Sequence, residues 1–170
     1  MIRFLVIFTV CLVSLFTLDV LTPVEVAVID PFNAFLASLA AHTISLFGGD
    51  AMAAGKVLIS ATTGLAVSIE RVCNGIEAVI ILVSAMLAFP APWKNKLFGL
   101  GVGILAIQGL NLLRIISLYY LNQWDQTWFE WFHLYIWQAL IVLDALAVFL
   151  VWLRWLPREP RSPALAAAPA

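Results

Sequence analysis

In this chain, charge is sparse within four long apolar runs, and that restricts what it can fold into more than any other feature. Four runs stand out: Ile2–Leu21, Asn74–Phe89, Leu97–Leu121 and His133–Leu156. A helix that crosses a bilayer needs ~20 mainly apolar residues, and these runs fit that length. The second is short, and either starts a few residues earlier or stands untilted. The composition agrees, with 64% hydrophobic and 11% charged residues and a mean hydropathy of +1.03. A soluble domain carries about 25% charge. The expectation is an all-α membrane protein, with one integral membrane domain over 1–156 and four transmembrane helices. The Pro/Ala-rich tail 157–170 is expected to be disordered and cytoplasmic.

The first run resembles a signal peptide in position, but no small-x-small cleavage site follows its apolar core, so it reads as an uncleaved helix. Phe8-Thr9-Val10 is a poor match to the small residues that precede a lipoprotein cysteine, which leaves Cys11 as a lipid-embedded side chain. The net charge of -1, with no dense Lys/Arg run, gives no sign of nucleic-acid binding. Two cysteines make no disulfide framework, and Cys11 and Cys73 are expected at different depths and unbridged. Neither belongs to a CxxC pair, which argues against a membrane thiol oxidase.

Basic residues set the direction of insertion. Arg3 precedes the first run, Lys94 and Lys96 separate the second and third, and Arg154, Arg158 and Arg161 close the fourth. With an even number of spans, all of these are cytoplasmic together with both termini, in an inner (cytoplasmic) membrane. The other face then holds Lys56 and Arg71 against Glu25, Asp30, Asp50, Glu70, Asp125 and Glu130. The sizeable extracytoplasmic segment, Thr22–Val72, carries apolar residues at helical spacing over Pro31–Phe47. This stretch is shorter than a span and is expected to lie flat in the interface. Gly48-Gly49-Asp50 ends it. Beyond it, Leu65, Val67 and Ile69 alternate with Ala66, Ser68 and Glu70. With Lys56–Ser60 across Ala61-Thr62-Thr63-Gly64 they read as a short β-hairpin leading into Cys73.

Three reactive side chains then fall at one face: Cys73 before the second run, Arg114 towards the end of the third and His133 at the start of the fourth. Each has a plain structural alternative, as a packing thiol, a snorkelling arginine and an aromatic-belt histidine. At ~1.5 Å per residue, Arg114 lies roughly 25 Å along its span, close to the far edge of a ~30 Å core, where an arginine facing lipid is costly. Asn111 is one turn earlier on the same face and reads as a helper that holds Arg114. Free N–H groups at a helix start and the charge of Arg71 favour a Cys73 thiolate, while Glu70 and Glu77 oppose it. Glu77 is suited to orient Arg114 or Arg71, or to accept a proton. Asp144 shares an azimuth with His133 but is ~16 Å away, so a polar group such as Gln108 is its expected partner. His42 reads as structural, and Trp93, Trp124, Trp128 and Trp131 as interface anchors.

Cys73-Asn74-Gly75, Asn111-Leu112-Leu113-Arg114 and His133, in that order at one membrane face, resemble the exosortase/archaeosortase family of membrane transpeptidases. The likeness covers about half the chain, Glu70–Leu156. In size the chain is similar to the short exosortase H group, and it lacks several N-terminal spans of longer members. The resemblance implies a cysteine transpeptidase with Cys73, Arg114 and His133 as catalytic residues, supported by Asn111, Glu77, Asn74, Gly75 and Arg71. It implies no metal or cofactor. The implied partners are exported proteins whose C-termini carry a short motif (like Ile-Pro-Thr-Leu in that group), a hydrophobic helix and a basic cluster, besides membrane lipid. A non-catalytic membrane assembly factor or chaperone is the alternative, its polar residues holding helices together. A channel is weaker, because the inner half offers only Gln108 and Asp144, with Ser84 above them, to line a pore.

Overall fold

The structure, a computed structural model, describes residues 2–156; the expected disordered tail lies outside them. Five helices and a small sheet follow one another: α1 (Ile2–Val20), α2 (Thr22–Leu46), β1 (Ala51–Ala54), β2 (Val57–Ser60), β3 (Ala66–Ser68), α3 (Ile76–Ala88), α4 (Trp93–Trp124) and α5 (Gln126–Trp155). A 3₁₀ turn, Arg71–Cys73, links β3 to α3.

α3 is the hub of the bundle and packs against α1, α4 and α5. Beyond Glu77 in its first turn and Ser84, which donates to Ile80 O, its sequence is apolar all round, as a helix surrounded by others requires. Ala78, Leu82 and Met86 meet Ile107 of α4 and Ala145 and Trp152 of α5 in one core. Gly103 lets α4 come close, since a methyl there would stand 2.6 Å from Leu82 Cδ2. At the end where α3 meets Pro90 and Pro92, Lys96 donates to Leu87 O and Trp152 to Asn95 O.

The second core lies at the opposite end. There α4 runs on past the start of α3, and α2 and the sheet pack around its projecting turns. Leu36, Ala37, Ala40, Ala41 and Ile44 of α2 meet Ala51 and Leu58 of the sheet, Ile69, Cys73, and Ile115 and Tyr119 of α4. Asp50 ties this layer together by accepting hydrogen bonds from Ser60, from Thr62 through both its amide and its hydroxyl, and from Tyr119. Those donors, Thr62 first, hold its carboxyl well below the usual carboxylate range.

Three details differ from the sequence reading. First, α2 is one continuous helix of 25 residues rather than a stretch shorter than a span, long and apolar enough to cross a membrane. Pro31 has no N–H to give and its ring crowds the preceding turn, and the helix widens to π geometry over Glu25–Ile29 just before it. Both ends of the segment Asp30–Leu46 are nevertheless tied to the sheet layer, through Asp30 to Lys56 and through the Gly48-Gly49 turn to Asp50. Second, α3 has 13 residues, or about 20 Å, well under a ~30 Å hydrocarbon core. Third, the hairpin of β2 and β3 gains a third antiparallel strand, β1, giving the order β1-β2-β3.

Candidate active site

Cys73 closes the 3₁₀ turn and is buried, its amide donating to Glu70 O. The chain can pass from that turn into α3 because Gly75 adopts a φ of 76°, in the left-handed region that an L side chain avoids. Space demands glycine as well: a methyl at Gly75 would lie 3.2 Å from both Asn111 Cγ and Gln108 Nε2. Asn74 is fully buried; its side chain accepts from the Ile76 amide and donates to Asn33 of α2. The Cys-Asn-Gly run thus forms a rigid corner clamped between α2 and α4.

Arg114 and His133 come to that corner from the antiparallel pair α4 and α5, whose turn is capped by Asp125 accepting from the Thr127 and Trp128 amides. Arg114 is fully buried. It donates through Nη1 to Val72 O at 3.2 Å and places Nη2 3.8 Å from Cys73 Sγ. The His133 ring lies against the same sulfur, with Nδ1 at 3.7 Å and Nε2 at 4.0 Å. Sulfur, guanidinium and imidazole therefore meet although the residues are far apart in sequence.

The imidazole is aimed by two features that the sequence reading missed. α5 widens to π geometry over Phe132–Ile136, which turns the helix locally at His133. Phe129, one turn earlier, stacks its ring on the imidazole at 5.6 Å and 3°. The i, i+4 spacing of Phe129 and His133 was a readable signal, while the widening has no sequence signature. It also upsets the shared azimuth of His133 and Asp144, which assumed regular α-helical steps through this segment.

Several supporting residues sit differently from expectation. Arg71 turns away from the thiol to pair with Glu25 at 2.7 Å and approach Asp19 at 3.9 Å. Glu77 makes no ion pair within 4.0 Å with Arg71 or Arg114, because Arg71 is drawn to α1 and α2 and Arg114 to the Val72 carbonyl. Asn111 is fully buried beneath Gly75 and makes no hydrogen bond to Arg114; neither of its amide atoms has a protein partner. Asp144 and Gln108 do not pair either. Asp144 instead opens, with Asn111, Arg114 and Trp137, on a groove between α4 and α5.

Burial works against a preformed thiolate at Cys73. Burial pushes the Cys73 pKa up, and the Arg114 charge only partly offsets it. The expected help from a helix start is weak because α3 begins at Ile76, beyond the Gly75 corner. A cleft of about 450 Å³ opens on Cys73 and His133, walled by Leu65–Glu70 on one side and by Leu118, Asn122, Gln126 and Phe129 on the other. Among the described residues no group of three His, Cys, Asp or Glu side chains could hold a metal ion.

This arrangement supplies a nucleophile, a proton carrier and a fixed cation in one buried corner with an opening. A protein-family model described as transmembrane exosortase matches residues 2–153. No curated protein and no solved structure matches the chain.

Proposed function

This chain belongs to the transmembrane exosortase family, and on that premise we propose that it is a cysteine transpeptidase that cuts the C-terminal sorting tail of exported proteins. The observation that carries the reading is the convergence of Cys73 Sγ, Arg114 Nη2 and His133 Nδ1 within 3.8 Å of the sulfur. A scaffold needs no such meeting of thiol, imidazole and guanidinium.

The chemistry follows from those positions. His133 takes the proton of the neutral thiol, and the sulfur attacks the scissile carbonyl. The electron pair displaced onto the carbonyl oxygen is stabilised by the Arg114 guanidinium, whose other arm is anchored on Val72 O. His133 then gives its proton to the leaving amine as the C–N bond breaks, and a thioester links the substrate to Cys73. An acceptor nucleophile loses its proton to His133, bonds to the acyl carbon and expels the thiolate, which regains the proton. No cofactor is needed.

The substrates proposed are exported proteins ending in a short motif, an apolar helix and a basic cluster. The site would face away from the cytoplasm in an inner membrane, because Lys94, Lys96 and Arg154 cluster at the bundle end opposite Cys73. The test is to co-express single variants with a tagged tail protein and follow its size on a gel. Cys73→Ala should abolish processing and Cys11→Ala should leave it intact. Arg114→Lys should lose about 10²–10³ in rate, since an ammonium cannot hold Val72 O and an oxyanion with one planar fork. Full processing by Cys73→Ala sinks the mechanism and leaves the assembly-factor reading.

A further inference from the structure

We propose that the substrate binds as a fourth strand on the free edge of β3 and that this strand feeds the scissile bond to Cys73; the inference rests on the transpeptidase reading above. β3 ends the sheet order β1-β2-β3 and pairs only with β2 among the described residues. In an antiparallel pair, alternate residues turn their N–H and C=O towards the partner. Here Ser60 N donates to Leu65 O and Ile69 N to Lys56 O, so Leu65, Val67 and Ile69 face β2. Ala66 and Ser68 therefore direct their backbone groups the other way, as an unused two-residue ladder.

That ladder faces the reactive cleft. Ala66 and Ser68 line the same opening as Cys73 and His133. The side of the cleft across from them is built from Leu118, Asn122 and Phe129. Ala66 O meets only Asn122 Nδ2 at 3.5 Å among the described residues, a contact too long to compete with a peptide amide. Exposed edges are commonly guarded by lysine, proline or a bulge. Ala66-Val67-Ser68 carries no such guard.

The occupant is set by hydrogen-bond complementarity. Alternating donors and acceptors on an extended edge match an extended peptide backbone, which would lie ~4.8 Å away. A lipid chain has nothing to offer them. The backbone runs from Ser68 through Ile69 and Glu70 directly into the turn that presents Cys73, so a strand paired at Ala66 and Ser68 reaches the sulfur within a few residues. Backbone pairing holds the chain extended, and side chains pointing towards Leu118 or Phe129 provide selection.

The experiment uses the full-length enzyme in detergent and a synthetic peptide covering the cleavage segment, apolar helix and basic end of a proposed tail. A set of peptides carries one backbone N-methyl group each, moved residue by residue along the segment preceding the helix. Losses of about tenfold or more in kcat/KM should alternate, severe at every second residue and small between. Ala66→Pro removes one edge donor without touching the β2 ladder and should raise KM about tenfold at similar kcat; unchanged alkylation of Cys73 checks that this variant keeps its site. Cleavage that ignores N-methylation, or responds without a two-residue period, overturns strand addition while leaving the transpeptidase reading standing. If the unmodified peptide is not cut at all, both readings fall together.

Discussion

Two opposing influences meet at Cys73: burial favours the neutral thiol, and Arg114, 3.8 Å away, favours the thiolate. Burial is the larger, so the folded-state pKa is raised and the thiol stays protonated through neutral pH. Alkylation by iodoacetamide tracks the thiolate. Its rate at Cys73 in a Cys11→Ala background should therefore climb about tenfold per pH unit between pH 7 and 9. A plateau reached by pH 7 would mean a preformed ion pair and would overturn the proposed order of proton transfer. The sequence made Cys73, Arg114 and His133 legible because each interrupts or borders an apolar run where a polar group is costly. Their helpers were less legible. Arg71 and Asn111 were assigned by nearness along the chain, yet Arg71 is claimed by Glu25 on another element, and Asn111 is packed beneath Gly75 with no hydrogen bond to Arg114. Such assignments depend on tertiary contacts that periodicity does not carry.

At the scale of elements, the corner between β3 and α3 does the positioning. Its geometry needs Gly75 twice over, for a φ of 76° and for contact with Asn111 and Gln108. A left-handed conformation costs an ordinary L residue about 1–2 kcal/mol, and here a methyl must also displace α4 side chains. Gly75→Ala should lower the melting temperature by several degrees and reduce tail cleavage at least tenfold. Near-normal activity with normal stability would show that the corner tolerates another shape. Helix existence was readable from apolar runs, but two boundaries were not. The hydrophobic stretch before the sheet was cut at Pro31, whereas the helix passes through that proline by widening before it. The short α3 follows from Gly75 at one end and from Pro90 and Pro92 at the other; the run reads as short in the sequence, but the helix starts after Gly75 rather than a few residues before Asn74.

For the molecule as a whole, the mismatch in helix lengths sets where the site lies. α4 continues from Arg114 to Trp124, about 15 Å further, while α3 stops short at the corner. The site is therefore recessed below the end of α4, with α2 and the sheet built around the projecting part. Both ends of the segment Asp30–Leu46 belong to that layer, which favours a helix lying across the bundle end over one crossing the membrane, despite its 25 residues with the preceding turns. The two readings differ measurably. If α2 lies at the site end, single cysteines introduced at Asp50 and Asp125 in a Cys11→Ala, Cys73→Ala background label together from outside intact cells, and one at Lys94 does not. If α2 crossed, its two ends would be split between compartments, and cysteines at Leu21 and Asp50 would label from opposite faces instead of both from outside. The hydrogen bond from Tyr119 to Asp50 ties the end of α2 to the far turns of α4, so the joint labelling of Asp50 and Asp125 is the expected result. External labelling at Lys94 alone would put the Cys73 cleft on the cytoplasmic side, where an exported tail could not reach it.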